Sequence, residues 1–168
     1  MTKISLKIYP DRVLRKKSTN VESIDDSILS LIHKMEEIMN QNKGIGLAAP
    51  QVGINQRLFI TKDFSNDNND NILVFINPEI IEEDKEVESK EGCLSIPGHY
   101  DYIKRKNNIF VSYTDLEGAE KSEEFNDMQS IVYQHELDHL DGILFPDRLP
   151  KIRKDIFFKK IDKEFKSK

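Results

Sequence analysis

The run Gln134-His135-Glu136-Leu137-Asp138-His139 constrains this chain more than any other segment. It lies in a stretch from about Asn126 to Gly142 where Met128, Ile131 and Val132 fall on one helical face, and the four-residue spacing carries His135 and His139 onto that face at the next two turns. A helix is expected there, with both imidazoles pointing inward. Two such rings can bind one metal ion, while Glu136, about 100° round the helix, can reach a water on that ion. The plainer alternative is a pair of structural histidines in a core beside a surface glutamate.

A catalytic metal site of this kind keeps three protein ligands and one open position. The candidate third donor is the chain's single cysteine, Cys93, in Glu91-Gly92-Cys93-Leu94-Ser95-Ile96-Pro97, where a glycine and a proline suggest a bent strand end. One cysteine cannot form an internal disulfide, so Cys93 serves either thiolate chemistry or packing as a small buried hydrophobe. The same count removes nucleic-acid deaminases, which need a P-C-x-x-C pair. A cysteine protease is also disfavoured, because a thiolate and imidazoles that bind an ion cannot readily act as nucleophile and base.

The elements around these motifs indicate an α+β fold, with antiparallel or mixed β-sheets packed around the central H-E-x-x-H helix and further helices near the N-terminus and the C-terminus. The first helix lies between Ser23 and Gly44, where Ile28, Leu31, Ile32, Met35, Ile38 and Met39 form a buried stripe; Ser23 or Asp25 caps its start and Gly44 ends it. Gly44 to Gly53 reads as a loop pressed closely against something. Strands are expected at Arg57 to Thr61, Ile72 to Asn77, Glu86 to Ser89, Tyr100 to Lys104 and Ile109 to Thr114, the last folding back at Asp115 to Gly118 onto Lys121 to Phe125. The Asn- and Asp-rich stretch from Asp63 to Asn71 reads as a mobile hairpin tip. A last helix, from about Lys151 to Phe165, is expected to turn Ile152, Ile156, Phe157, Ile161 and Phe165 inward.

At 168 residues the chain fits one domain, 1–168, with 151–168 as its basic C-terminal helix. No apolar run approaches the roughly 20 residues of a membrane span, and the N-terminus carries no secretory or transit pattern. A cytoplasmic location is expected, with neither membrane nor DNA as partner. Arg148 to Lys168 carries a local charge of +6 on a chain of net −5, a weak pointer to a polyanion.

Three segments, Gly44-Ile45-Gly46-Leu47-Ala48-Ala49-Pro50-Gln51, Glu91-Gly92-Cys93-Leu94-Ser95 and Gln134-His135-Glu136-Leu137-Asp138-His139, resemble the signature motifs of peptide deformylases, in that family's order and at similar separations. The resemblance runs from about Leu6 to Arg148. It implies Cys93, His135 and His139 as metal ligands and Glu136 as the proton-transfer residue. It further implies that the Gln51 side-chain amide and the Leu94 backbone N–H stabilise the oxyanion, and that Gly46 offers main-chain groups to an extended peptide. Ile45, Ile131 and Val132 match positions that line the methionine pocket, although ordinary core packing also explains Ile131 and Val132. Arg105 matches a basic position that pairs with Glu91; a solvated surface charge is the alternative. Where some relatives place an arginine this chain has Tyr100, so peptide-backbone contacts on that side differ.

The activity so implied is removal of the formyl group from N-formylmethionyl nascent chains, with release of formate. The resemblance implies ferrous iron as the native ion and zinc, nickel or cobalt as substitutes; a thiolate and two imidazoles suit iron and zinc alike. Asp138 or Asp141 is expected to hold an imidazole N–H or to cap the helix end. The ribosome is a further candidate partner, through the basic C-terminal helix. Two alternatives stand beside this reading: a zinc peptidase of the H-E-x-x-H type, and a non-catalytic, metal-stapled module that docks on the ribosome.

Overall fold

The computed structural model describes residues 3–68 and 70–165. Its first helix, α1 (Asp26–Gln41), begins where the Asp25 carboxylate accepts the N–H groups of Ser27 and Ile28, satisfying two donors that the first turn leaves free. All six apolar residues of the expected stripe are buried. The helix ends one residue early: Lys43, not Gly44, takes the left-handed conformation, and the Gly44 N–H closes the end on the Met39 carbonyl.

Five antiparallel strands follow in sequence order across one sheet: β1 (Gly46–Ala48), β2 (Leu58–Lys62), β3 (Ile72–Cys93), β4 (Ile96–Thr114) and β5 (Glu120–Asn126). The segment expected as a pressed loop thus supplies an edge strand, β1, and a 3₁₀ turn at Ala49–Val52. The separate short strands expected between Ile72 and Thr114 merge into two long ones. Register shifts at Ile76/Glu79, Ile80/Glu82 and Glu91/Cys93 absorb the interruptions, so the chain bends without breaking its ladder. The last shift places Cys93 opposite Ile96 at the end of the β3–β4 ribbon.

The central helix α2 (Asp127–Leu140) packs against β1, β2, β4 and β5. Its rotation is fixed from behind by Tyr133, which is fully buried among Phe59, Phe75 and Phe125 and donates its hydroxyl to the Glu79 carbonyl at 3.1 Å. At 100° per residue, His135 and His139 then lie about 200° and 240° round the helix from Tyr133, on the side away from it. Gly142, with φ 72°, ends the helix as expected.

The last helix, α3 (Lys151–Phe165), corrects the expected inward face. Ile161 is fully buried and Phe157, Phe158 and Phe165 pack beside it, whereas Ile152 and Ile156 are 75% and 62% exposed. At 100° per residue, positions 157, 158, 161 and 165 fall within one 100° sector, and both isoleucines lie outside it. Residues 166–168 of the expected basic helix lie outside the described residues.

Candidate active site

Cys93, from the end of β3, and His135 and His139, from α2, come together: their ligand atoms all lie within 4.8 Å of one another. Cys93 Sγ is 3.4 Å from His139 Nε2. On His135 the other ring nitrogen, Nδ1, sits 2.9 Å from Glu91 Oε1, which leaves Nε2 directed at the cluster. One soft sulfur and two imidazole nitrogens converging from two elements make a donor set suited to a divalent transition ion.

The oxygen that holds an imidazole is therefore Glu91, not Asp138 or Asp141. Asp138 instead pairs with Arg105 at 2.7 Å and with Arg148 at 2.6 Å, and Asp141 pairs with Arg57 at 2.8 Å. Arg105 is buried and grips Glu91 with two bonds of 2.8 Å, so the paired reading of this residue holds and the solvated one falls. Burial by itself would raise the Glu91 carboxyl; the bonds from Arg105 and His135 outweigh it and hold the group at about 2. Burial likewise opposes a charge on His135, yet Cys93 and Glu91 raise that ring well above its ordinary value. Burial and the neighbouring His135 push His139 well below.

Glu136 stands beside this cluster, buried, with Oε2 unpartnered. Burial pushes its carboxyl up to about 7, with Glu91 and Asp138 adding to the rise and His135 and Arg105 opposing it. β1 crosses so closely that a Cβ on Gly46 would lie 2.6 Å from Glu136 Oε1, a contact that only glycine avoids. The Gln51 amide is held in place at both ends: Oε1 accepts the Ala48 N–H at 2.9 Å, while Nε2 donates to Ser95 Oγ at 3.1 Å and stands 3.5 Å from Cys93 Sγ.

One cavity of about 700 Å³ opens onto Gln51, Cys93, His135 and Glu136. Ile45, Gly46, Ile131 and Val132 line it together with Gln51, Cys93, Leu94, His135 and Glu136, so the residues singled out from the sequence share one space. His139 lies behind the lining, fully buried. Met128 lines the same cavity and is 46% exposed. Sequence reasoning missed Leu6 and Ile8, which also line it from the N-terminal segment, and Ser95, which anchors Gln51. Ser95 lay within a quoted motif. Nothing local to Leu6 or Ile8 signals a contact with residues so distant in sequence.

The family model for polypeptide deformylases matches residues 4–155. The chain belongs to that family. A peptide deformylase of Thermodesulfovibrio yellowstonii is 41% identical over 160 residues, which is 95% of this chain and 97% of that protein. The crystal structure of a peptide deformylase from Thermus thermophilus superposes with a TM-score of 0.87 at 41% identity, covering 95% of this chain and 93% of that one. A third, from Synechococcus elongatus in complex with actinonin, gives 0.84 at 36% identity, covering 95% and 86%. The α+β architecture read from the sequence is the architecture of these proteins.

Proposed function

We propose that this site hydrolyses the formyl amide of N-formylmethionyl chains, releasing formate and a free amino terminus. One observation carries the reading: Cys93, His135 and His139 converge beside a buried carboxylate with a free oxygen, at the wall of a cavity with apolar lining. The three donors fit a divalent ion, which when bound would lower the pKa of a water to about 7. The Glu136 carboxylate accepts the proton of the attacking water, and the water oxygen forms a bond to the formyl carbon. As the carbon–nitrogen bond breaks, Glu136 returns the proton to the departing amine. Charge that gathers on the former carbonyl oxygen is met by the Gln51 side-chain amide and the Leu94 N–H, each such donor being worth about 10²- to 10³-fold in rate.

Gly46 supports the binding step. β1 is an edge strand of the sheet, paired among the described residues with β2 alone, and Gly46 lines the cavity, so an extended substrate can add alongside it. Ile45, Ile131 and Val132 then surround the methionine side chain. Ferrous iron is the proposed native ion, with zinc, nickel or cobalt able to replace it. The peptidase alternative loses ground because the third donor brought to the two histidines is a thiolate, whereas those enzymes draw on a carboxylate or a third histidine. A non-catalytic site would need neither Gln51 nor Glu136.

Among the described residues no helix is long and apolar enough to cross a membrane. The proposed substrate is made at the ribosome, which puts the enzyme in the cytoplasm. The exposed Lys151, Lys159, Lys160 and Lys163 of α3 offer a cationic surface for ribosomal RNA. The activity is tested by formate release from a formyl-Met tripeptide, using protein purified without oxygen and assayed for metal content. Glu136→Ala should keep the metal and lose turnover; a metallated wild type without formate release refutes the reading.

A further inference from the structure

Two lysines stand at the mouth of the cavity. Lys43, in a left-handed turn with φ 56° after α1, lines one wall; Lys90, from β3, lines the other. Both are exposed. The carboxylates in the same lining are Glu91 and Glu136, and both are buried within it. Arg105 and His135 already hold the Glu91 charge. The outer mouth is thus positive although the chain as a whole carries −5.

Lys90 is also held in position. It lies opposite Tyr102 in the β3–β4 register, which makes Tyr100 its diagonal neighbour, and its ammonium sits 5.9 Å from the centre of the Tyr100 ring. The ring in turn rests on Gly92: a Cβ there would come within 2.5 Å of Tyr100 Cε1. On either side of Tyr100, helix α3 braces the strand, through His99 Nε2 to Glu164 at 2.7 Å and through Asp101 to Arg153. Lys43, Lys90 and Tyr100 thus border the same cavity as Gly46 of β1, beside which an extended chain would add.

We infer that Lys43 and Lys90 select formylmethionyl chains bearing an acidic side chain at the second or third residue. The inference rests on the deformylase reading and specifies which substrates that site prefers. Exposed charge pairs are weak, so the preference should amount to about 1.4- to five-fold in kcat/KM for each contact made. Because the mouth is open to solvent, salt should erase it.

The test compares amidated formyl-Met-Ala-X peptides with X as Asp, Asn or Lys, and formyl-Met-X-Ala peptides with the same three residues, on the metallated enzyme. In at least one series kcat/KM should rank Asp above Asn above Lys at low salt and converge at about 0.5 M salt. A Lys43→Glu, Lys90→Glu double variant should reverse that order. Equal rates for all three peptides in both series, with the Asn peptides turned over, would overturn the inference and leave the deformylase reading standing. No formate from any peptide would remove that reading and the inference together.

Discussion

Glu91 Oε1 lies 2.9 Å from His135 Nδ1, and the same oxygen also accepts a bond from Arg105. One buried carboxylate therefore orients a candidate metal ligand and neutralises a guanidinium. With Nδ1 engaged, the His135 lone pair is left on Nε2, the nitrogen directed at Cys93 and His139. Glu91→Ala should lower metal affinity by about 10- to 100-fold, because the ring loses its fixed orientation. Competition with a chromogenic chelator measures this directly, and unchanged affinity would remove Glu91 from the site.

Arg105 makes the complementary case about stability. It bridges Glu91 and Asp138, with all three side chains buried. Replacing it by methionine preserves much of the volume but leaves Glu91 without its guanidinium and Asp138 with Arg148 alone, and breaking a buried network from one side costs about 3–5 kcal/mol. Urea unfolding of Arg105→Met at fixed metal concentration should show a loss of that size. A loss below about 1 kcal/mol would mean that water reaches the pair.

Gly46 separates geometry from metal binding. A methyl group there would stand 2.6 Å from Glu136 Oε1 and 2.9 Å from Cγ, so the carboxylate must move. Displacement of a reacting group by about 1 Å can cost on the order of 10²-fold in rate. Gly46→Ala should therefore lose kcat to about that extent and keep its full metal content, since neither Cys93 nor the histidines are touched. Full activity in this variant would show that the Glu136 position is not limiting.

The site was more legible in the sequence than the fold that carries it. His135, Glu136 and His139 occupy one helical turn, so local spacing settles their relation, and only Cys93 had to be supplied from elsewhere. The ribbon of β3 and β4 was less readable, because Pro78, the acidic run from Glu82 to Glu88 and Gly92 interrupt any alternation; what joins those pieces is pairing across the ribbon, which local propensity does not encode. Asp138 was misjudged for a related reason. It is on the right helix and within reach of the site, but Arg105 and Arg148 claim it, and Glu91 arrives from β3 to take the imidazole. Ile152 and Ile156 look like core residues by type, yet the aromatic positions of α3, packed on Tyr9, His99 and Phe145, decide which face turns inward.

That correction changes how ribosome docking by α3 can be tested. Removing everything after Pro150 would strip away Phe157 and Ile161, and with them the packing behind Phe145, whose ring stacks on His135 at 6.2 Å. Lost ribosome association in a truncated chain would then report a damaged core as readily as a lost contact. Ile161→Ala should by itself cost about 2–5 kcal/mol, measurable as a fall in the urea midpoint. Lys159→Glu with Lys160→Glu changes two exposed side chains instead and should alter stability by no more than about 0.5 kcal/mol. If α3 docks on ribosomal RNA, this folded double variant should sediment less with ribosomes and show a shallower salt dependence. Equal association of the variant and the parent would show that the charge of α3 is a solvated surface and nothing more.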